Sequence, residues 1–391
     1  MKTIRSILDT DLYKITQGQL VFNQFSNGVV EYEFFNRGGH LFTPDVVDAF
    51  EEEVRAMADL SMNDEEFTYL QSIRFLKPTF LEWFRNYRFN PKEVLIERTN
   101  IGDLVDLKFK IVGPWYRTIY WEVPLMAALS ELSFRNRTRS QDWVKKIAWK
   151  RAKLISEEVS WIDFGTRRRA SFDVQDKVVQ IMSSRQDFKG DFFRGTSNVY
   201  LAKKHNVKAQ GTIAHEVHQA MQAKYGIMMS NQMTLEHWCR EYDGDLGVML
   251  PDTLTTDFFM QHLSRRDAKL YDGARQDSGD LIQSAEKYIA KLITLDIDPK
   301  SKILVPSDSL NDDSAIEFAN HFKGRVKGVT AGIGTFLTND CGFKPLNIVV
   351  KMVRANFGFG MTDVVKLSDV DGKHTGNSDR VLSVKKELGF V

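Results

Sequence analysis

Hydrophobic and polar residues change rhythm twice along this chain. In the first third, VVEYEFFNR (29–37) and DLVDLKFKIVG (103–113) alternate with the period of two that predicts half-buried strands, while TPDVVDAFEEEVRAMADL (43–60) repeats apolar residues at helical spacing. From about 125 the pattern turns to long helices, PLMAALSELSFRNRT and then QDWVKKIAWKRAKLISEE. Short apolar runs then recur, each ending in small or charged polar residues: WIDFGTRRRAS, FFRGTSNVYLA, VKAQGTIAHEV, GVMLPDTLTTD, GARQDSGDL, KILVPSDSLND and VKGVTAGIGTFLTND. Strand, polar turn and helix in series make βα units, which favour a parallel sheet with its ligand site at the carboxyl ends of the strands. After about 343 the strand rhythm returns in LNIVVKMVRAN and DVVKLSD, and the sequence closes on VLSVKKELGFV without a further βα unit.

The turns are unevenly spaced, FRGTS and QGTIAH standing at about half the usual βα repeat. The expected fold is therefore α/β: an irregular α/β barrel with fewer than eight regular units over 125–342, and an N-terminal α+β domain over 1–124 that residues 343–391 rejoin and complete. A Rossmann-like sheet is the alternative. At 391 residues the chain is long enough for this division, since single cores stop growing at about 250–300 residues.

Composition narrows the function classes. The 53 Lys+Arg nearly cancel 52 Asp+Glu, so no global field recruits nucleic acid. Cys239 and Cys341 form no CxxC or Cys/His spacing, which argues against a disulfide framework or a zinc site and for a reducing compartment. The opening MKTIRSILDTDLYK lacks a secretory apolar stretch, and no run approaches the roughly eighteen apolar residues of a membrane span. A cytoplasmic, soluble protein is expected.

Four turns carry candidate chemistry. In GTIAHEVHQAM, His215 and Glu216 stand at a helix start, where backbone N–H groups and the helix dipole favour an anion. The zinc-protease motif HExxH fails here, because His215 and His218 are three apart rather than four. GARQDSGDL gathers Arg275, Asp277, Ser278 and Asp280 into a turn that offers a bidentate cation beside carboxylates, or forms a solvated surface salt bridge. In VTAGIGTFLTND, Gly332, Gly334 and Thr335 would let backbone N–H groups close on a phosphate; a tight turn without a ligand explains the segment equally well, and the dinucleotide fingerprint is broken by Leu337. FGTRRRAS presents Arg167, Arg168 and Arg169 in succession, suited to phosphate or carboxylate or to a charged surface turn. By itself Tyr13, in DTDLYKITQ, reads as a core aromatic of an amphipathic helix, and His218, His237 and His262 as packing or surface residues.

Together DTDLYKITQ, EYEFFNR, FGTRRR, RGTSNVYLA, QGTIAHE, RQDSGDL, SDSLN and GIGTFLTND, in this order across most of the chain, closely resemble the nicotinate phosphoribosyltransferase family. The resemblance implies a two-domain type II phosphoribosyltransferase, assembled as a homodimer with sites at the interface. It implies a reaction in which nicotinate and 5-phosphoribosyl-1-pyrophosphate give nicotinate mononucleotide and pyrophosphate with magnesium (Mg2+), coupled to ATP hydrolysis through a transient phosphohistidine, in NAD salvage. His215 matches that histidine. By motif, Phe164 and Tyr13 would sandwich the pyridine ring, Tyr13 coming from the other subunit. Arg167, Thr212 and Arg275 would hold nicotinate or pyrophosphate, and Asp277 would face the ribose hydroxyls. Ser307, Asp308, Gly332, Gly334 and Thr335 would cradle the 5-phosphate. No protein-only metal site is implied. To orient His215, Asp277, Asp280 or Asp308 are better placed than Glu216, which points elsewhere on a helix.

Two rivals remain on sequence. Nicotinamide-using relatives carry Asp after the Gly-Thr of the RGT segment; Ser197 stands there in this chain, and a carboxylate would repel nicotinate. A non-catalytic phosphosugar-binding protein would be expected to have lost His215, Arg275 or Asp277, all of which are present.

Overall fold

The computed structural model describes residues 2–184, 191–370 and 372–390. The alternating segments of the first third become strands β1 (Val29–Asn36) and β3 (Leu104–Pro114), whose inward residues Val30, Tyr32, Val105, Leu107, Phe109 and Ile111 are buried, and β2 (Val94–Ile101) pairs with β3 as a strand the pattern did not single out. The helical pattern of 43–60 becomes Pro44–Ala56, with proline in its first turn, where a missing N–H costs nothing.

The parallel part contains β4 (Ser160–Asp163), β5 (Phe193–Thr196), β6 (Val248–Met249), β7 (Gly273–Gln276), β8 (Ile303–Pro306) and β9 (Gly328–Ile333). Their order is β5-β4-β9-β8-β7-β6, with every pairing parallel. The first strand, β4, pairs with the last, β9. A doubly wound sheet would instead reverse its order at a switch point, so this cyclic order is that of a barrel opened at one seam. The seam falls between the β5 side and β6, where VKAQ contributes only a bridge from Ala209 to Thr196. Compression explains the short strand: the segment 197–208 between Thr196 and Ala209 holds only the seven-residue helix Val199–His205 and short flanking turns, and Gly195, at φ +125°, passes so close to Lys208 that a Cβ would lie 2.0 Å from its carbonyl oxygen.

After the barrel strands the chain returns to the N-terminal sheet. Strand β10 (Ile348–Asn356) inserts antiparallel beside β1, and β11 (Thr362–Asp363) pairs outside it, giving the order β11-β10-β1-β3-β2. Of the closing run VLSVKKELGFV, whose element type the sequence left open, residues 381–387 lie in a helix, Ser378–Glu387. Val381 and Val384, one turn apart, bury against Ile227, Leu254, Phe258, Val365 and Leu367.

Helix Glu122–Phe134 packs against Pro44–Ala56, β10 and the turn at 166–168 and is buried nearly all round, as its continuous apolar run requires. One core cluster runs from Ile4 in the N-terminal part through this helix to Met249, Ala274 and Leu304 in the barrel strands. Among the described residues no helix is long and apolar enough to cross a membrane.

Candidate active site

Side chains from the carboxyl ends of the parallel strands and from the returning C-terminal segment converge on a cavity of about 660 Å³. Its wall carries eight lysines and arginines against four aspartates. The chain as a whole has a formal net charge of only +1, so the positive field is local, and such a cleft concentrates anionic ligands.

His215 opens helix His215–Tyr225 directly at the barrel seam. Its Nδ1 is 2.9 Å from Thr253 Oγ1, and its Nε2 is 3.0 Å from Asp277 Oδ2 and 2.9 Å from Lys366 Nζ. Asp252 Oδ1 stands 3.7 Å from the same nitrogen, and Lys366 Nζ lies 3.1 Å from Asp252 Oδ2. Burial, followed by the Lys366 charge, pushes His215 down to about 4, so the imidazole is neutral at pH 7 and keeps a lone pair on one nitrogen. Burial alone would raise Asp277, yet Arg275, His215 and Lys366 hold it well below the usual carboxylate range.

From β7, Arg275 spreads its guanidinium over three oxygens. Nε donates to Ser307 Oγ at 2.7 Å, Nη1 to Thr212 Oγ1 at 3.1 Å and Nη2 to Asp277 Oδ1 at 2.7 Å. The fork thereby ties the ends of β7 and β8 to the segment before His215 and fixes the Asp277 carboxylate in one orientation.

Aromatic and cationic side chains line a further part of the wall. The Arg275 guanidinium lies 5.7 Å from the Phe164 ring centroid, and that of Arg167 lies 6.0 Å from the ring of Tyr13. Ser197 Oγ donates to Asp11 Oδ1 at 2.7 Å. Burial raises the Asp11 carboxyl, opposed by Arg167, Thr166 and Ser197. The loop carrying Phe164 and Arg167 is stapled to the loop after β9: Thr338 Oγ1 donates to the Gly165 carbonyl at 2.8 Å, and Asn339 Nδ2 to that of Arg168 at 2.7 Å.

Residues 159–389 match the nicotinate phosphoribosyltransferase (NAPRTase) family, and residues 8–130 match the NAPRTase N-terminal domain. The chain belongs to the nicotinate phosphoribosyltransferase family. A nicotinate phosphoribosyltransferase of Chromohalobacter salexigens is 40% identical over 391 residues, covering 98% of each chain. One from Desulforapulum autotrophicum is 38% identical, covering 98% of this chain and 99% of that protein. The crystal structure of nicotinate phosphoribosyltransferase from Porphyromonas gingivalis superposes with a TM-score of 0.93 at 38% identity, covering 99% of this chain and 100% of that one.

Of the residues picked out by the family motifs, Tyr13, Phe164, Arg167, Ser197, Thr212, His215, Arg275, Asp277, Ser307, Asp308, Gly334 and Thr335 all line the cavity. Gly332 does not. It lies in β9 beneath Phe164, where a Cβ would sit 2.5 Å from the ring and 3.2 Å from Ser307 Cβ, so the missing side chain makes room for the ring. Tyr13 lines the cavity of its own chain. Arg169 points away from the cavity and is fully buried in a bidentate pair with Asp9, at 2.7 and 2.9 Å. Neither Asp280 nor Asp308 orients His215: Asp280 caps helix Leu281–Thr294, and Asp308 pairs with Lys373. Asp11 modifies the charge argument built on Ser197, because a carboxylate stands beside Ser197 in any case and is offset by Arg167.

Sequence reasoning missed Asp252, Thr253, Lys351, Lys366 and Lys373. The last three come from the C-terminal return, which carries no motif. Lys351 gave the one usable signal, a lysine in the middle of the apolar run IVVKMV, and burial lowers it to about 8.

Proposed function

We propose that this protein transfers the 5-phosphoribosyl group of 5-phosphoribosyl-1-pyrophosphate to nicotinate, releasing nicotinate mononucleotide and pyrophosphate. The observation that carries this reading is the convergence in one cationic cavity of the Tyr13 and Phe164 rings, the Arg167 guanidinium and the His215–Asp277–Arg275 cluster. The pyridine nitrogen attacks ribose C1 as pyrophosphate leaves, so the tasks of the protein are alignment and charge stabilisation. Tyr13 and Phe164 hold the ring, and Arg167 meets the nicotinate carboxylate. Asp277, fixed by Arg275 and Ser307, accepts from the ribose hydroxyls. Ser307, Asp308, Gly334 and Thr335 receive the 5-phosphate, and the lysines of the C-terminal return offset the charge of pyrophosphate.

Coupling to ATP runs through His215. The ring nitrogen of His215 that carries the lone pair attacks the γ-phosphorus of ATP and releases ADP; Lys366, 2.9 Å from Nε2, stands beside the imidazole that takes up the phosphoryl group. The carboxylates suit magnesium: Asp252 Oδ1 is buried without a hydrogen-bond partner, and it lies with Asp277 and His215 in a group whose ligand atoms are all within 4.8 Å of one another. Bound with the phosphates, magnesium would neutralise the leaving group. We place the enzyme in the cytoplasm, in NAD salvage, as a homodimer.

The test is incubation with 5-phosphoribosyl-1-pyrophosphate, magnesium and either nicotinate or nicotinamide, with and without ATP, for wild type and His215→Ala. Nicotinate mononucleotide from nicotinate only, with ATP stimulation lost in His215→Ala, is the expected result. Product from nicotinamide alone would transfer the reading to the amide, and no product from either base would leave a phosphosugar-binding protein.

A further inference from the structure

Behind the aromatic wall, one carboxylate that no family motif singled out touches two residues of the proposed base site. Glu122 begins helix Glu122–Phe134 and is nearly fully buried. Its Oε1 accepts from Arg167 Nη1 at 3.3 Å, and its Oε2 accepts from the Tyr13 hydroxyl at 3.0 Å and lies 2.7 Å from Lys14 Nζ. Lys14, itself fully buried, also pairs with Glu216, which is held on its far side by Trp115 Nε1 at 2.8 Å and by the Tyr32 hydroxyl. Tyr13, Glu122, Arg167, His215 and Lys351 share the wall of one inner chamber of about 50 Å³.

We propose that Glu122 is a positioning residue of the base site, holding the Arg167 guanidinium and the Tyr13 ring in the arrangement that receives the ring and carboxylate of nicotinate. The inference rests on the nicotinate reading of the cavity. Without this anchor, the Tyr13 side chain and the Arg167 fork would each have free rotamers to lose on binding, and substrate would have to supply that ordering. Burial would raise the Glu122 carboxyl, but Lys14, Lys351 and Arg167 hold it down at about 2, so it is an anion at every working pH. Lys14 neutralises part of that charge, so that Arg167 keeps its attraction for an incoming carboxylate. Its polar contacts are with Arg167, Tyr13 and Lys14, none of them assigned to the 5-phosphate, so its larger effect should fall on the base.

The experiment is steady-state kinetics of the whole enzyme with each substrate varied in turn, for wild type, Glu122→Gln and Glu216→Gln, with thermal melting of each. Glu122→Gln keeps the shape and loses the charge; the expected result is a KM for nicotinate raised about tenfold, in line with a lost charge-assisted hydrogen bond, while kcat and the KM for 5-phosphoribosyl-1-pyrophosphate stay within about twofold. Glu216→Gln disturbs the same buried lysine without touching Arg167 or Tyr13, and should lower the melting temperature while leaving the ratio of the two KM values unchanged. If Glu122→Gln moves both KM values together, or only kcat and melting, or if Glu216→Gln changes the ratio equally, Glu122 is scaffold and the proposal falls. Should Glu122→Gln not fold, Tyr13→Phe removes only the hydroxyl contact: a nicotinate KM raised about threefold supports the proposal, and an unchanged one overturns it. Wild type without nicotinate turnover would overturn the base-site reading itself, a failure visible before any substitution is made.

Discussion

At the residue scale, burial sets the protonation states on which the site depends. It lowers both His215 and His218 to about 4, and only His215 lines the cavity. Unfolding returns each to the ordinary value of about 6.5, so between about pH 4 and 6.5 the unfolded chain binds more protons than the folded one through these residues. Their contribution to stability is therefore present above pH 6.5 and is lost as pH falls towards 4. Asp163 works the other way: burial raises it to about 6, so the folded chain takes up a proton there that the unfolded chain does not. His218 donates from Nδ1 to Asn231 Oδ1 at 2.8 Å. Replacing it with glutamine should shrink the fall in melting temperature between about pH 7 and pH 5, relative to wild type, because one of the two acid-sensitive groups is gone. Calorimetry at the two pH values checks this, and an unchanged difference would refute the assignment.

At the scale of elements, the site is an arrangement of strand ends held by glycines where chains or rings approach closely. Gly195 and Gly332 serve different ends, and alanine at each should separate them. At Gly195 a Cβ would meet backbone at 2.0 Å from a φ of +125°, so Gly195→Ala is expected to lose several kcal/mol of stability by breaking the Thr196–Ala209 bridge. Gly332→Ala pushes against a ring and a side chain, which have some room to shift. A loss of about 1–3 kcal/mol is expected there, together with a severalfold higher KM for nicotinate because Phe164 is displaced. Melting curves and nicotinate titrations decide; equal kinetic effects from both variants would remove the special link between Gly332 and the ring.

For the molecule as a whole, the C-terminal return supplies both structure and chemistry. Strand β10 lies between β1 and β11 and buries Ile348, Val350 and Met352, while the same return brings Lys351, Lys366 and Lys373 to the cavity wall. In the proposed division into 1–124 with 343–391 and a barrel over 125–342, a chain ending at residue 342 leaves β1 with an unpaired edge and opens the shared core. It should give no soluble protein with a cooperative melt, whereas the full chain should melt in one transition. A cooperative melt from the shortened chain, followed by circular dichroism, would show that the return is dispensable for folding.

What the sequence determined by itself is what local patterns encode. The period of two gave β1 and β3, and the repeated strand, polar turn and helix gave a parallel sheet with its polar residues at the strand ends. The order of short motifs gave the family and twelve residues of the cavity wall. What only the tertiary structure decided is contact between positions far apart in the chain. His215 meets Thr253 across 38 positions and Lys366 across 151, and Tyr13 meets Glu122 across 109. No local periodicity records such pairs, because they are fixed by how the barrel seam and the returning strand pack. For the same reason the sequence does not show that the Phe164 ring lies against Gly332: a glycine signals that something comes close, and only the fold says what.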